Sequence, residues 1–555
     1  MEWSTACLDW SKRIVRGDSL IPFAPQFPGE AKAALDVFHE LRIVDAAGSP
    51  TMGEACRPWI NDFVRAIFGA YDPDSGRRLI TEFFLLISKK NSKSTTAAGI
   101  MLTALIRNWR ESAEFLILAP TVEIANNSYY PARDMVRRDP ELSDLFQVQD
   151  HVRTITHRLN GGMLKVVAAD AETVGGKKAT GVLIDELWLL GKQPNAENML
   201  REACGGLASR PEGFTIFLST QSDVPPAGVF KQKLQYARAV RDGRVQDPRF
   251  LPVLYEFPEA MIADKSYRDK ANFYITNPNL GASVDREFIE READKAEHDG
   301  AESLAGFLSK NLNVEIGMAL RSDNWAGAPF WEQQGRAGIT LDAILARCEV
   351  VDVGIDGGGL DDLLGLTVIG RDAETREWLS WSHAWAHPSV LERRKSEAAR
   401  FRDFAKDGDL TLVQQIGDDV QEVAAIVAQI DGAGLLDKVG VDPAGIGGVL
   451  DAIEQAGVSI DKVVSISQGW KLSGSIKTTE RKLAEGALIH GGRPMMAWCV
   501  ANAKIEPKGN AMLITKQASG WAKIDPLMAT FSAVALMALN PPALAFSGEL
   551  RVINL

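Results

Sequence analysis

The sequence predicts an α/β protein with more than one domain, and three observations support this prediction. The chain has 555 residues, which is too long for one ordinary hydrophobic core. Apolar residues make up 46% and charged residues 24% of the chain, as in soluble globular proteins. Short apolar runs alternate with helical segments through two long parts of the chain, and such alternation favours mainly parallel sheets covered by helices.

Changes in this alternation divide the chain into four predicted parts. They are an N-terminal helical extension (1–56), a first α/β domain (57–257), a polar, helix-rich linker subdomain (258–335) and a second α/β domain (336–555). In the first α/β domain we expect strands at 115–119, 164–168, 182–185 and 214–219, and helices at 122–136, 195–207 and 228–240. In the second we expect strands at 348–355, 364–369 and 378–385.

Composition excludes several classes of protein. The five cysteines are far apart and show no CxxC pairing, so we expect a reducing cytosol rather than a zinc site or a disulfide framework. The N-terminus lacks the pattern of a signal peptide, and the apolar tract at 533–545 is interrupted by Asn540-Pro541-Pro542, so we expect no membrane role. A net charge of −12 disfavours a protein that coats nucleic acid, but it leaves local basic grooves possible.

The stretch 82–100 has the pattern of a phosphate-binding loop. An apolar run is followed by a cationic, polar turn and then by an Ala-rich helical segment. Backbone N–H groups at a helix N-terminus bind anions, so Lys93 would reach the outer phosphates and Ser94 would bind Mg²⁺. The residues expected to contact the nucleotide are Lys89, Lys90, Asn91, Ser92, Lys93, Ser94 and Thr95. Ile87 and Ser92 stand where the motif GxxxxGK has its glycines, so a basic loop before a surface helix is the alternative.

Two later strand ends complete a predicted ATP site. An apolar strand ends in Asp185 and Glu186, where the first acid would hold Mg²⁺ and the second would polarise the attacking water. Another apolar strand is followed by Thr220 and Gln221, which could sense the γ-phosphate. A solvated strand end and a helix N-cap are the alternatives for these two features.

Three separated acids in the second α/β domain predict a metal-dependent nuclease site. Asp356 and Asp442 each follow an apolar strand, and Asp525 precedes an apolar helix, where it could be both the N-cap and a ligand. Oxygen ligands suit Mg²⁺ or Mn²⁺, and two such ions can hydrolyse a phosphodiester. Each acid taken alone is also typical of a turn or a cap.

Other polar residues near these acids are secondary candidates. Asp361 or Asp362 could add a ligand or shape the strand turn. His490, Asn502 and Lys516 precede Asp525 in the chain, where a hairpin with polar surface residues is the alternative. His383 and His387 are four residues apart in a strand-like run, and we do not expect them to bind zinc.

The order of these motifs resembles the large terminase subunit of tailed bacteriophages, the motor that packages DNA into capsids. The segment SKKNSKS is similar to the family's RKNGKS, and LIDE, STQSD and Asn277-Pro278-Asn279 follow in the family's order. In the second α/β domain, GIDGGGLDD, HGGRP, Asn502, Lys516 and KIDPLMA resemble the family's nuclease domain. Ile60 and Asn61 follow Trp59 where the family commonly has a Gln that contacts adenine.

The resemblance implies a P-loop ATPase domain, a helical linker and an RNase H-like nuclease domain. It implies ATP and Mg²⁺ at the first site and two Mg²⁺ or Mn²⁺ ions at the second. The implied activities are ATP-driven translocation of double-stranded DNA and endonucleolytic cutting of concatemers. The implied partners are the portal protein of the procapsid, the small terminase subunit and further copies in a ring. The implied location is the cytoplasm of the bacterial host, docked transiently on the procapsid and absent from the mature virion.

By analogy with ring motors, a trans-acting arginine is also expected, and the candidates are Arg133, Arg137 and Arg138. Lys177 and Lys178 precede LIDE, where such a residue would first be sought. Two other interpretations stay open. One is a helicase-nuclease of DNA repair, and the other is a non-enzymatic adaptor with degenerate sites.

Overall fold

The computed structural model describes residues 3–168, 178–193, 195–316, 325–359, 362–395, 397–442, 447–508, 511–514 and 523–544. The chain divides into two compact units, Met1–Ile316 and Gly317–Leu555. The helices predicted for the linker subdomain therefore fall mostly in the first unit, and the independence of that subdomain stays a prediction.

The first unit contains thirteen labelled helices in its described part. They are α1 (Trp10–Arg16), α2 (Pro28–Glu40), α3 (Met52–Ala55), α4 (Pro58–Phe68), α5 (Lys93–Ile106), α6 (Val122–Arg138), α7 (Pro140–Leu145), α8 (Leu187–Leu190), α9 (Ala196–Gly205), α10 (Gly228–Arg241), α11 (Glu259–Ala263), α12 (Arg286–His298) and α13 (Ala301–Leu312). Its strands are β1 (Tyr71–Asp72), β2 (Arg77–Arg78), β3 (Glu82–Leu86), β4 (Glu114–Ala119), β5 (Phe146–Gln149), β6 (Thr154–His157), β7 (Met163–Ala168), β8 (Ala179–Ile184), β9 (Phe214–Ser219) and β10 (Phe250–Leu254).

The main sheet of the first unit has the described strand order β10-β3-β9-β8-β4-β7-β6-β5. Neighbours from β10 to β7 pair in parallel, and β6 and β5 continue the sheet antiparallel. The predicted alternation of strands and helices between 115 and 240 is confirmed. Both faces of the central strands are buried, which explains why β3, β8 and β9 are continuous apolar runs. The carboxyl ends of β3, β9 and β8 lie side by side along one edge of the sheet, the edge formed by the strand ends.

The second unit contains nine labelled helices in the part that is described. They are α14 (Ala328–Gln333), α15 (Leu341–Arg347), α16 (Ser389–Arg393), α17 (Ala398–Lys406), α18 (Asp418–Gly432), α19 (Gly447–Gln455), α20 (Ser473–Ala484), α21 (Pro494–Asn502) and α22 (Asp525–Met537). Its strands are β11 (Cys348–Gly357), β12 (Leu364–Asp372), β13 (Trp378–Ala386), β14 (Leu410–Leu412), β15 (Leu436–Val441), β16 (Val463–Ser465), β17 (Leu488–His490), β18 (Ile505–Lys508) and β19 (Ala511–Ile514).

The sheet of the second unit has the described order β14-β13-β12-β11-β15-β16, and β17 also pairs with β13. Strands β11, β12 and β13 are antiparallel neighbours, whereas β15 runs parallel to β11. This is the RNase H-like arrangement that was expected. Two cores cover the two faces of the sheet, one with α20, α21 and α22 and the other with α18 and α19.

Helix α22 lies directly on β11 and β12 because glycines leave room for its backbone. A β-carbon on Gly354 would lie 1.9 Å from the Ala529 carbonyl oxygen. A β-carbon on Gly365 would lie 2.7 Å from the Pro526 nitrogen. This close approach fixes the N-terminal end of α22 at the carboxyl end of β11. None of the described helices in either unit is long and apolar enough to cross a membrane.

Candidate functional sites

The loop between β3 and α5 makes a left-handed turn at Ser92, directly before the helix. Ser92 precedes α5 with φ 59° and ψ 22°, which is the left-handed region. Ser92, which stands where the motif has its second glycine, therefore has the positive φ that glycine tolerates best. A non-glycine residue in this region costs about 1–2 kcal/mol, so the surrounding contacts must hold the turn in place.

Asn91 supplies much of that support. Its side chain is fully buried and its Nδ2 donates to Asn277 Oδ1 at 2.8 Å. The Asn279 N–H donates to Asn91 Oδ1 at 3.0 Å, and Trp59 Nε1 donates to Asn279 Oδ1 at 2.8 Å. The Asn277-Pro278-Asn279 turn therefore holds the loop in place through its hydrogen bonds to Asn91. Sequence reasoning noticed this turn as a motif but could not assign its contact, since the two segments are far apart in the chain.

The predicted catalytic residues of the first unit come together at the ends of β3 and β8. Lys93 Nζ forms an ion pair with Glu186 Oε1 and lies 4.0 Å from Asp185 Oδ1. Ser94 Oγ donates to Asp185 Oδ2 at 3.2 Å. Ser128 on α6 also donates to Asp185 Oδ2, at 3.0 Å, and sequence reasoning missed it because no motif marks it.

Burial and charge shape the titration of these groups. Burial raises the pKa of Asp185 above its ordinary value, although the charge of Lys93 opposes this. Burial by itself would lower the pKa of Lys93, but the charges of Asp185 and Glu186 outweigh it and raise that pKa. Burial likewise opposes ionisation of Glu186, but Lys93 and a hydrogen bond from Trp188 leave its pKa below the ordinary value. The lysine is therefore held as a cation at this edge.

This donor set fits a nucleotide with a divalent cation. The hydroxyl of Ser94 and the carboxylate of Asp185 are hard oxygen ligands of the kind that Mg²⁺ prefers. The N-terminus of α5 and the ammonium of Lys93 suit phosphate oxygens. Lys89 and Lys90 are exposed, and Thr95 is partly buried in the first turn of α5.

The end of β9 lies between the phosphate loop and the acidic pair, because β9 pairs with both β3 and β8. Thr220 is fully buried, and its hydroxyl makes no hydrogen bond to the residues that the structure describes. The Gln221 N–H donates to Asn313 Oδ1 at 3.0 Å. The position of Thr220 is thus suited to its predicted role beside the γ-phosphate, which stays a prediction.

Two of the three acids predicted for the nuclease site occupy neighbouring strand ends in the second unit. Ile355 on β11 lies opposite Val441 on β15, so Asp356 and Asp442 follow at adjacent positions. The third acid, Asp525, is brought to the same edge by α22, since Gly365 pairs with Asp356 and touches the Asp525–Pro526 backbone.

The local role of Asp525 differs from the expected one. It is the first residue of α22, and Ile524 is the N-cap, so the prediction of an Asp525 N-cap is wrong by one residue. The reason is that the Ile524 carbonyl oxygen already accepts the N–H groups of Leu527 and Met528, each at 2.9 Å, so the helix begins one residue before Pro526. A β-carbon on Gly357, whose φ is 95°, would lie 3.2 Å from Asp525 Oδ1. Asp356 and Asp525 are buried, whereas Asp442 is partly exposed.

Carboxylate oxygens at one edge fit hard divalent cations such as Mg²⁺ or Mn²⁺. In the described residues, however, no three His, Cys, Asp or Glu side chains stand close enough together to hold a metal ion. The three acids therefore share an edge without forming a closed set of ligands. Their assignment as ligands stays a prediction.

The secondary candidates have other partners. Lys523 Nζ lies 2.6 Å from Asp362 Oδ1, and both side chains are largely buried. His490 is buried, stacks on Trp331 with ring centroids 3.9 Å apart and hydrogen-bonds its carbonyl oxygen. Asn502 ends α21 and is buried. Asp361 and Lys516 lie outside the described residues.

The remaining candidates are also accounted for. His383 hydrogen-bonds Thr411 Oγ1 at 2.9 Å, and burial lowers the pKa of His383 to about 4. His387 hydrogen-bonds Ser389 Oγ at 2.9 Å.

The candidate trans-acting arginines lie on α6. Arg133 pairs with Asp134 at 2.7 Å, and Arg137 pairs with Asp150. Arg138 is exposed, and in the described part of the chain it forms no ion pair. Lys178 is exposed at the start of the segment before LIDE, and Lys177 lies outside the described residues.

Comparison with known proteins finds a family model for each of two stretches of the chain. Residues 58–239 match the model of the terminase large subunit ATPase domain, and residues 252–540 match that of the terminase large subunit endonuclease domain. The terminase large subunit of Enterobacteria phage HK97 is 24% identical over 498 residues, which cover 89% of this chain and 90% of that protein. The terminase large subunit of Lactococcus phage p2 is 22% identical over 467 residues, which cover 81% of each chain.

The crystal structure of the HK97 large terminase superposes with a TM-score of 0.48 at 21% identity, over 91% of this chain and 99% of that one. The match to the endonuclease domain alone spans more than half of the present chain, and the ATPase match covers a separate stretch before it. The chain therefore belongs to the terminase large subunit family, with an N-terminal ATPase domain and a C-terminal RNase H-like nuclease domain.

Proposed function

We propose that this chain is a DNA-packaging motor that translocates double-stranded viral DNA into a procapsid and cuts the concatemer. One observation carries the proposal. The phosphate loop meets the Asp185–Glu186 pair at one sheet edge of the first unit, and a separate acidic edge lies in the second unit. Two chemistries on two sheets are what a motor joined to its own nuclease requires.

In the ATPase unit, Lys93 binds the β- and γ-phosphates, and Ser94 and Asp185 bind Mg²⁺. Glu186 accepts a proton from water as the water oxygen attacks the γ-phosphorus, the bond to the bridging oxygen breaks, and ADP and phosphate form. Mg²⁺ held by Ser94 and Asp185 would supply charge neutralisation to the phosphates. Thr220 lies at the strand end between these groups, where it couples hydrolysis to movement.

In the nuclease unit, Asp356, Asp442 and Asp525 would hold two Mg²⁺ or Mn²⁺ ions. Two ions held there would supply activation of water and stabilisation of the leaving oxygen of a phosphodiester. Glycines at 357 and 365 support this assignment, because they let Asp525 approach the end of β11. The Lys523–Asp362 ion pair holds the segment before α22 beside the site.

The same proposal names the partners. Double-stranded DNA is the substrate of both units, the portal protein of the procapsid and the small terminase subunit are docking partners, and several copies form a ring during packaging. The work takes place in the cytoplasm of the bacterial host, with transient docking on the procapsid.

The test is a comparison of three variants of the full chain with the wild type. Lys93→Ala and Glu186→Ala should reduce DNA-stimulated ATP turnover by about 100-fold or more while leaving metal-dependent nicking of plasmid DNA intact. Asp356→Ala should do the reverse. Full ATP turnover in Glu186→Ala would remove that residue from the mechanism. No Mg²⁺-dependent turnover in the wild type would favour a degenerate adaptor.

A strand-displacement assay separates packaging from repair. A packaging motor should hydrolyse ATP on duplex DNA without releasing a labelled strand from a tailed duplex. Strand release coupled to ATP hydrolysis would identify a helicase-nuclease instead.

A further inference from the structure

Lys310, on α13, touches three parts of the nucleotide site although it lies outside the central sheet. Its carbonyl oxygen accepts the N–H of Lys89 in the phosphate loop at 2.8 Å. Its Nζ donates to the carbonyl oxygen of Gln221 after β9, also at 2.8 Å. The same Nζ lies 2.9 Å from the centroid of the Trp188 ring. One residue of the helical segment is therefore in contact with the loop, with the end of β9 and with the residue that follows LIDEL.

Burial of the Lys310 ammonium against Trp188 costs free energy, because the charge loses its hydration. The residue is only 8% exposed, and burial lowers its pKa to about 7 against the opposing charges of Asp223 and Glu186. A buried cation needs specific partners, and the ring face of Trp188 and a backbone carbonyl provide them. The Lys310 ammonium is thus held by specific contacts and does not extend into solvent.

Trp188 contacts both Lys310 and the carboxylate of Glu186. Its indole Nε1 donates to Glu186 Oε2 at 2.6 Å, and its backbone N–H donates to Ser219 Oγ at 3.1 Å. A hydrogen bond to an ionised carboxylate is short and directional, and a site with little water strengthens it. Trp188 itself is largely buried, so the indole has little freedom to turn.

The two oxygens of Glu186 consequently have different partners. Oε1 is held by Lys93 and Oε2 by Trp188. In the proposed mechanism Lys93 binds the phosphates, which would release Oε1 to accept the proton of the attacking water. Oε2 keeps its indole donor, which fixes the direction in which Oε1 points.

We propose that Trp188, braced by Lys310, is a positioning residue that orients Glu186 for ATP hydrolysis and links turnover to helix α13. This inference rests on the role of Glu186 in the proposed function. It adds Trp188, a residue that no motif identifies, to the ATPase site. It also connects helix α13 to Glu186, because Lys310 contacts Trp188.

The experiment uses single substitutions in the full chain and separates kcat from KM for Mg·ATP. Trp188→Phe keeps an aromatic plate but removes the N–H donor, so kcat should fall roughly 10- to 100-fold while KM and the affinity for a non-hydrolysable ATP analogue stay within about twofold. Lys310→Met keeps the unbranched stem and should lower kcat about five- to tenfold, whereas Lys310→Arg should restore most of it.

Trp109→Phe is the matched control, since Trp109 is 61% exposed and also carries a cation, Arg110, over its ring. It should leave kcat unchanged. A second control is Trp188→Phe in a Glu186→Gln background, where no further loss is expected because the carboxylate is already gone.

Three results would overturn the inference. They are an unchanged kcat in Trp188→Phe, equal kcat values for Lys310→Met and Lys310→Arg, and a loss of analogue affinity that parallels the loss of kcat. If Glu186→Gln itself keeps full turnover, the proposed function of Glu186 fails. If Glu186→Gln is inactive and Trp188→Phe is fully active, only the positioning role fails.

Discussion

At the scale of single residues, Asp352 is a buried acid that neither proposed reaction uses. It lies in β11 on the same face as Asp356, and its side chain is fully buried. The Lys438 N–H donates to Asp352 Oδ1 at 3.1 Å, while Oδ2 has no hydrogen-bond partner among the described residues. Burial, with the nearby charge of Asp437, raises the pKa of Asp352 to about 7.

This raised pKa makes the stability of the nuclease unit depend on pH. Between about pH 4 and pH 7 the folded state holds a proton on Asp352 that the unfolded state releases, so the free energy of unfolding falls as pH rises through this range. Asp352→Asn removes the charge and keeps an acceptor for the Lys438 N–H. We expect its unfolding midpoint to exceed that of the wild type by several °C at pH 8, with little difference at pH 4.5, in calorimetry of the full chain.

Asp437→Asn provides the matched control, because it removes only the neighbouring charge. It should raise the midpoint at pH 8 by less than Asp352→Asn does. A difference between wild type and Asp352→Asn that is the same at both pH values would contradict the raised pKa.

Single residues also show where sequence reasoning stopped. The types and order of Lys93, Ser94, Asp185 and Glu186 were enough to predict that they meet, because the ends of parallel strands share one edge. The sequence could not show that Asn91 binds the Asn277-Pro278-Asn279 turn. Such contacts depend on which distant segments pack together, and nothing local in the chain encodes that.

At the scale of elements, α22 is the helix that carries Asp525, one of the three proposed metal ligands of the nuclease domain. It lies on two glycines, Gly354 and Gly365, with its backbone at distances that a side chain would not permit. Asp525 is its first residue, so any displacement of the helix from β12 moves this acid away from Asp356.

We expect Gly365→Ala to impair DNA cutting more than it impairs folding. The added methyl group would lie 2.7–2.9 Å from backbone atoms of Asp525 and Pro526. Overpacking of this kind costs about 1–3 kcal/mol, and a displacement near 1 Å at a catalytic group lowers rates about 100-fold. Metal-dependent nicking of supercoiled plasmid should therefore fall by one to two orders of magnitude, while ATP turnover stays at the wild-type rate.

Gly474→Ala is the matched control, since nothing lies within 4 Å of its added methyl group on helix α20. It should leave nicking unchanged and slightly stabilise the helix. Wild-type nicking in Gly365→Ala would show that the position of Asp525 does not limit the reaction.

Elements were predicted well where burial on both faces produced a continuous apolar run, as in β4, β8 and β9. The antiparallel pair β5 and β6 was not predicted. These strands extend the sheet at its far end, and each has only four residues in which polar and apolar side chains are mixed, so their local pattern is weak. The start of α22 was displaced by one residue because a cap depends on backbone angles, which residue types alone do not determine.

At the scale of the whole molecule, the charge of the chain limits how it can bind DNA. The net charge is −12, and in each unit Asp and Glu outnumber Lys and Arg. An overall field of this sign repels a polyanion, so the proposed affinity for duplex DNA must come from a few local phosphate contacts that overcome this repulsion. A translocating motor has to release and rebind DNA repeatedly, and a small number of electrostatic contacts allows this.

This reasoning predicts a strong dependence of DNA binding on salt. Each phosphate contact releases a counterion, and the logarithm of the association constant falls by about 0.9 per contact for each tenfold rise in salt. With four to six contacts, affinity for a blunt duplex should fall roughly 100- to 2000-fold between 50 and 200 mM salt. Fluorescence anisotropy without ATP measures this slope.

Basal ATP turnover without DNA should change by less than about twofold over the same range, because the Lys93, Asp185 and Glu186 side chains are largely buried and weakly screened. An affinity for DNA that salt does not weaken would show that the duplex is held mainly by uncharged contacts, and the inference that phosphate contacts provide the affinity would have to be abandoned.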